Sequence, residues 1–344
     1  MTDTKVLFVV NALSGGGAEV SALSVFRELR ALGNDIKLIA INRAPEEVNE
    51  ESEAIVLLDR NWKTGPFETI LTFLSFAKNL NMLKPDLVVA HCELPELFCA
   101  FMPRIRIRVI AVEHTSNPWA GRKPLGVITR VILKFRGVSW VTVNKLQDRI
   151  WLGDAKPVLI HNPAVKNVKI EPVKIREKVV FIGRLTEGKR PEWAINAAIS
   201  CSMPIGVIGD GELMQLLLNK NLGHKELVKF YGYMNNPWAH LPQDTLIVMP
   251  SQYEGDGLVA VEAIINGFPI VLADNQDLRR FELPSGNYFS NENELQGILQ
   301  RVKKEGVSSF RTPESLIAKL QNERDIRTVT SKWRQVLKLD EANL

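Results

Sequence analysis

The chain is poor in the features that would assign it to several large functional classes. Across its 344 residues no uncharged run reaches the about eighteen apolar residues needed to cross a bilayer, so no spanning helix is expected. Cysteine is scarce: residues 92, 99 and 201 are odd in number and form no CxxC pair. That excludes a disulfide framework, and reduced thiols in a cytoplasmic protein are expected. The five histidines are scattered without zinc-ligand spacing, so no metal is expected. Met1 to Val10 lacks a basic leader and Asn11 interrupts its apolar stretch, so no secretory signal is expected. Low-complexity tracts and short repeats are also missing.

What is present is an ordinary globular composition, 45% apolar and 24% charged, in a chain long enough for two domains. Short β-rich runs alternate with helical patterns, as in parallel sheets with helices on both faces. Strands are predicted at Val6–Val10, Ile36–Ile41, Ala54–Leu58, Leu87–Ala90, Val109–Val112, Trp140–Val143 and Val158–Ile160. A second series follows at Val179–Ile182, Ile205–Ile208, Val228–Tyr231, Leu246–Met249 and Ile270–Ala273. Val20, Leu23, Phe26, Leu29 and Leu32 mark a helix that Gly33 ends. Asn167–Lys178, with no apolar period, reads as a linker. The expected division is 1–168, 169–325, and a final segment 326–344 whose Trp333 anchors it by packing.

The most informative stretch runs from Pro250 to Ala263. The apolar run Leu246–Met249 precedes it, a turn with Gly255 and Gly257 interrupts it, and Asn266-Gly267-Phe268-Pro269 stops the following helix. Glu254 falls in the loop and Glu262, eight positions on, about a turn into the helix. The amides of Gly257, Leu258 and Val259 open that helix, where unpaired N–H groups and the helix dipole attract phosphate. Carboxylates that grip sugar hydroxyls beside amides that hold a diphosphate suit a nucleotide sugar.

This stretch resembles the E-x7-E signature of the retaining glycosyltransferases of family four. Four further segments resemble that family in the family's order: Ser14-Gly15-Gly16-Gly17-Ala18-Glu19, Gly183-Arg184-Leu185-Thr186-Glu187-Gly188-Lys189, Gly209-Asp210-Gly211-Glu212 and Phe230-Tyr231-Gly232-Tyr233. The resemblance implies the GT-B architecture: two Rossmann-like doubly wound α/β domains facing across a cleft, with a C-terminal helix crossing back to the first. It implies transfer of a sugar from a nucleoside diphosphate sugar to a glycan or lipid-linked glycan, with no metal and no cofactor. Glu254 would take donor-sugar hydroxyls, Glu262 the ribose hydroxyls, and Gly232 and Tyr233 the side of the nucleobase. His114 would lie near the sugar's reacting face, and Gly15, Gly16 and Gly17 would approach the diphosphate.

Arg184 and Lys189 follow the strand Val179–Ile182 at its C-terminal end, where open α/β sheets bind ligands. Both are expected to clamp the β-phosphate, charge building on the leaving group being what preorganised cations stabilise. Ordinary loop cations beside Glu187 and Glu192 are the alternative. Asp256 departs from the family pattern, because a third carboxylate near a diphosphate is unfavourable unless it faces a sugar hydroxyl or an acceptor. The glycine loop read alone could bind a dinucleotide, but the G-x-G-x-x-G form is absent, which argues against a dehydrogenase.

From Arg104 to Ile150 there are ten Lys or Arg residues (104, 106, 108, 122, 123, 130, 134, 136, 145, 149), opposed only by Glu113 and Asp148. Within it, Leu125, Ile128, Ile132 and Phe135 form a helical stripe opposed by Lys123, Arg130 and Lys134. A membrane surface, a lipid-phosphate acceptor and nucleic acid are the candidate anionic partners for residues 104–150, the first giving a cytoplasmic protein peripheral to the inner face of the membrane. A solvated basic face on a core-packed helix is the other reading. Aromatic residues there are limited to Trp119, Phe135 and Trp140, so no nucleic acid is expected. Two further functions stay open: a non-catalytic nucleotide-sugar binder and a nucleotide-sugar epimerase of the same fold.

Overall fold

Apolar runs without polar alternation form two parallel sheets in the computed structural model, which describes residues 4–13, 15–43, 53–62, 64–103, 106–145, 156–164 and 175–339. The chain divides into two compact units, 1–163 with 324–344, and 164–323.

In the first unit the strands are β1 (Val6–Val10), β2 (Ile36–Asn42), β3 (Ile55–Arg60), β4 (Leu87–His91), β5 (Arg108–Glu113), β6 (Ser139–Thr142) and β7 (Val158–Leu159). Their order is β3-β2-β1-β4-β5-β6-β7, every pairing parallel. Val6 lies opposite Ile36 on one side and Leu87 on the other. Both faces of the central strands β1, β2, β4 and β5 are buried, which is why they read as apolar runs, whereas the edge strands β3 and β7 are partly exposed. Helix α1 (Gly17–Ala31) packs on one face, while α2 (Pro66–Leu83), α3 (Glu93–Phe101) and α4 (Lys123–Phe135) form a layer on the other.

Leu23, Phe26 and Leu29 of α1 are buried, whereas Val20 and Leu32 at the ends of the predicted stripe are about half exposed. A strict three-residue step drifts around a helix of 3.6 residues per turn, so only its middle faces the sheet.

Helix α4 corrects the sequence expectation. Gly126, Thr129, Arg130 and Leu133 face inward, and Leu125, Ile128 and Phe135 face solvent, Phe135 at 89% exposure. Arg130 is therefore not part of an exposed cationic face. Its guanidinium binds Glu96 of α3 (3.2 and 3.3 Å) and Glu113 of β5, and lies 4.9 Å from the Trp140 ring. Gly126 is needed because a β-carbon there would strike the Trp119 side chain. Arg104, Arg149 and the 146–150 end of the basic segment fall outside the described residues.

The second unit holds β8 (Val179–Ile182), β9 (Ile205–Ile208), β10 (Val228–Gly232), β11 (Leu246–Met249), β12 (Ile270–Ala273) and β13 (Tyr288–Phe289), in the order β10-β9-β8-β11-β12-β13. The two-residue β13 was not anticipated. Around the sheet pack α5 (Pro191–Ser200), α6 (Met214–Lys220), α7 (Leu258–Ile265), α8 (Gln276–Arg279), α9 (Glu292–Glu305) and α10 (Glu314–Arg324). Of the predicted linker, 167–174 lies outside the described residues. Its end is packed rather than free: Ile175 is buried, its N–H donating to the His240 carbonyl, and Glu177 accepts the Tyr231 hydroxyl at 2.6 Å.

Helix α11 (Ile326–Leu337) returns to the first unit, where Asp325 caps it by accepting the Arg327 and Thr328 amides. Trp333 is 4% exposed, its ring 6.0 Å from both Phe8 and His91. Trp333→Ala should cost about 3–5 kcal/mol in urea-unfolding stability of the first unit. A loss below about 1 kcal/mol would show that α11 is not anchored through this ring.

Candidate functional site

Connections from a parallel sheet diverge where the strand order reverses, and ligands bind there at the strand C-termini. In the second sheet the reversal lies between β8 and β11. The loop after β8 carries Gly183, Arg184 and Lys189; the loop after β11 carries Glu254, Gly255, Asp256 and Gly257. Topology alone thus brings together residues about seventy positions apart in sequence.

Side chains close the junction. Lys189 Nζ pairs with Glu254 Oε1, with Glu254 7% and Lys189 28% exposed. The Gln252 N–H donates to the Gly188 carbonyl at 2.8 Å, and the Tyr253 hydroxyl covers Gly188 so closely that a β-carbon there would push the tyrosine aside. Arg184 is exposed beside Gly183.

Backbone hydrogen bonds stitch the neighbouring loops. Gly183 N–H donates to Ile208 (3.0 Å), Leu185 N–H to Asp210 (2.9 Å) and Gly209 N–H to Gly232 (2.7 Å). Gly209, at φ +135°, sits where a β-carbon would fall on the Gly183 carbonyl oxygen. The glycine at 209 is therefore demanded by packing of one loop on the next. The Asp210 carboxylate accepts the Gly211 N–H at 2.7 Å, and Tyr233 is 48% exposed after Gly232.

The acidic loop is held from behind by residues not anticipated from the sequence. Asp277 Oδ2 accepts the Glu254 N–H at 2.9 Å, and Asn275 Nδ2 donates to the Ser251 carbonyl at 2.8 Å. Arg280 donates to the carbonyls of Gly255 (3.0 Å) and Asp256, and its Nη2 lies 3.7 Å from Asp256 Oδ1. Asp256 is 5% exposed, so the charge problem raised by a third carboxylate is met by a cation of the same unit. An Arg-Arg pair at the end of a short helix was the available signal, but a guanidinium that binds main-chain carbonyls leaves no residue pattern.

Gly257, at φ +57°, starts α7 with no side-chain cap, so the amides of Leu258 and Val259 head the helix without a capping side chain. Glu262 follows one turn later. Trp238 Nε1–H donates to its Oε2 at 3.0 Å. Burial pushes the Glu262 carboxyl up to about 7, the Trp238 hydrogen bond acting in the opposite direction.

In the first unit the reversal lies between β1 and β4. The loop after β1 carries Gly15, at φ +111°, and Gly16 and Gly17 start α1; Ser14 lies outside the described residues. β4 ends in His91, and His114 follows β5. His91 Nδ1 and His114 Nε2 are 3.0 Å apart, and His91 is 3% exposed with the Phe8 ring at 5.3 Å. Burial, and secondarily His114, hold the His91 imidazole well below its ordinary value, so it is neutral. His114 and the glycines 15–17 belong to the first unit, and the other candidates to the second.

Two family models match: Glycosyltransferase Family 4 over residues 15–179 and Glycosyl transferases group 1 over residues 166–287. An uncharacterized glycosyltransferase of Haemophilus influenzae is 25% identical over 77% of this chain and 78% of its own length. The O-antigen biosynthesis glycosyltransferase WbnH of Escherichia coli is 28% identical, over 53% of this chain and 52% of its own length. The Anabaena protein HepE, solved with UDP and glucose, aligns with a TM-score of 0.77 at 18% identity over 97% of this chain and 99% of its own. WaaG, involved in lipopolysaccharide biosynthesis, aligns at 0.68 and 13% identity over 96% and 99%. These likenesses and the two parallel sheets give the GT-B fold.

The Glu262 carboxyl sets a pH dependence. Its folded value of about 7 lies above the ordinary carboxyl value of 4.5, so between those values the folded protein holds a proton that the unfolded chain has released. The resulting stability is full at low pH and lost as pH rises through about 7. The stability of the wild type relative to Glu262→Gln should therefore fall by on the order of 2 kcal/mol between pH 5 and pH 8. A pH-independent difference in urea titrations would contradict the burial of this carboxyl.

Proposed function

Because the chain belongs to the family-four glycosyltransferases, we propose that it transfers a sugar, with retention, from a nucleoside diphosphate sugar to a glycan or lipid-linked glycan during surface-polysaccharide assembly. The observation that carries this reading is the Lys189–Glu254 pair at the strand-order reversal, beside the uncapped start of α7. The cation and the helix-start amides match the diphosphate, and the carboxylates Glu254 and Glu262 match the pyranose and the ribose of an activated sugar.

In this proposal Arg184 and Lys189 bind the β-phosphate and stabilise the charge it gains as the anomeric bond breaks. The amides of Leu258 and Val259 hold the remaining phosphate oxygens. Glu254 takes hydroxyls of the sugar and Glu262 the ribose diol. Arg280 holds Asp256 and the backbone of the loop, so that Glu254 meets the sugar without reorganisation. The departing phosphate takes the proton of the attacking acceptor hydroxyl on the same face, which accounts for retention without a protein nucleophile. The positive charge comes from Arg184 and Lys189, and no metal or cofactor is invoked.

The acceptor reading draws on α4. Its outer face shows Leu125, Ile128, Val131 and Phe135 between Lys123 and Lys134, and α2 in the same layer shows Phe67, Ile70 and Leu74. No acidic residue occurs from His114 to Gln147. Such a face suits an anionic leaflet on which a lipid-linked acceptor resides.

Thermal shift against UDP-, GDP- and ADP-sugars should find a stabilising donor. With it, Arg184→Ala or Lys189→Ala should lower transfer about 100- to 1000-fold. If no nucleoside diphosphate sugar stabilises the protein or is turned over, the reading is wrong. Separately, Ile128→Asp with Phe135→Asp should abolish cosedimentation with phosphatidylglycerol vesicles. Undiminished sedimentation of that variant would remove the membrane surface.

A further inference from the structure

Trp238 lies in a short 3-10 turn, Pro237–His240, that no sequence motif singled out. Its indole is 7% exposed and packs on Phe268, the ring centroids 5.5 Å apart. The turn is fixed at both ends, by Asn236 in a left-handed conformation before it and by the Ile175 N–H on the His240 carbonyl after it. The only polar atom of the buried indole, Nε1–H, points at Glu262 Oε2. A buried indole N–H that loses its acceptor is costly, so the bond holds each partner in one orientation.

Glu262 sits on the second turn of α7 among Val261, Ala263, Ile264 and Ile265, all buried. A glutamate has three rotatable bonds, and a vicinal diol is recognised only by a carboxylate whose plane is set. With Oε2 tied to the indole, Oε1 is the oxygen left to accept from a hydroxyl, at a defined angle.

We propose that Trp238 is a positioning residue that acts through Glu262, fixing the carboxylate for the cis-diol of a ribose and thereby selecting ribonucleotide over deoxyribonucleotide donors. The inference rests on the proposed nucleotide-sugar site. It adds a residue 24 positions upstream, on a different element, as the source of discrimination at the pentose. A site built to hydrogen-bond a hydroxyl rejects an analogue lacking it, because its polar groups are then left unpaired. That rejection needs a carboxylate unable to turn away.

The test is calorimetric binding of UDP, GDP and ADP, each against its 2′-deoxy and 3′-deoxy analogue. For whichever base binds, the wild type should prefer the ribonucleotide at least about tenfold, and Trp238→Phe should cut that preference to near unity. Glu262→Gln should do the same, and Trp238→Phe in the Glu262→Gln background should change the ratio no further. A packing role alone would lower the melting temperature while leaving the ribose-to-deoxyribose ratio intact, and that result overturns the proposal. So does additivity of the two substitutions. If the wild type binds none of the three nucleotides, the nucleotide site itself fails, a result distinct from bound nucleotide with unaltered discrimination. If Trp238→Phe does not fold, wild-type protein labelled with 15N-tryptophan serves instead. The Trp238 indole resonance, identified by its shift in Glu262→Gln, should move with the ribonucleotide and not with the 2′,3′-dideoxy form; equal movement with both refutes the role.

Discussion

Each parallel sheet reverses its strand order once, and the candidate groups follow from that constraint. Where β8 and β11 lie side by side, their outgoing connections leave in opposite directions, and nothing of the sheet itself covers the strand ends between them. The exposed main chain of those loops must find partners elsewhere. It does so laterally: Gly183 on Ile208, Leu185 on Asp210, Gly209 on Gly232, and Gln252 on Gly188. Such close backbone approach admits no side chain at 209, so part of the glycine content reflects loop-on-loop packing before any ligand is considered. The first unit obeys the same rule, with glycines after β1 and His91 closing β4.

Rigid loops are useful only if their charges are held ready. In the second unit three acidic groups near the reversal have defined counterparts: Lys189 for Glu254, Arg280 for Asp256, the Trp238 indole for Glu262. Glu254 and Lys189 neutralise one another in this state. A diphosphate that draws Lys189 toward itself would release one Glu254 oxygen for a hydroxyl, so anion and sugar would be gripped in a single exchange. Arg184, exposed, would have no such exchange to make and would add charge directly in the proposed site. The unequal shielding of the two cations is the physical basis for giving them parallel but separable parts.

The sequence was most legible where structure is local. All twelve anticipated strands form, because a buried parallel strand is a short apolar run and needs no partner to be seen. The start of α7 was likewise readable from Gly257 and the apolar residues after it. What escaped is non-local or lacks a pattern. β13 has two residues, too few for a period. Trp238 and His91 each make one side-chain polar contact, to Glu262 and His114, 24 and 23 positions away. Arg280 and Asp277 bind main-chain atoms, which leave no trace in residue type. The end of the supposed linker was misread because Ile175 and Glu177 are buried by a sheet whose strands lie further along the chain.

Helix α4 shows how far a local rule can be overturned, and why. Its apolar stripe would ordinarily face the core. The inward face instead carries Arg130, whose burial is tolerable only because Glu96 and Glu113 contribute two carboxylates to one guanidinium. Burial pushes both carboxyls upward even beside that cation, so the cluster tends to retain a proton, which brings its net charge toward zero. Replacing Arg130 by a small apolar residue would strand two buried acids, so the helix cannot roll its stripe inward without breaking three charged contacts and displacing Trp119 from Gly126. The ionic cluster therefore fixes the rotation of the helix, and that rotation exposes Ile128 and Phe135. An apolar surface kept outward by a buried ion triad is specified by the fold, and its exposure beside Lys123 and Lys134 is the observation on which the proposed lipid surface rests.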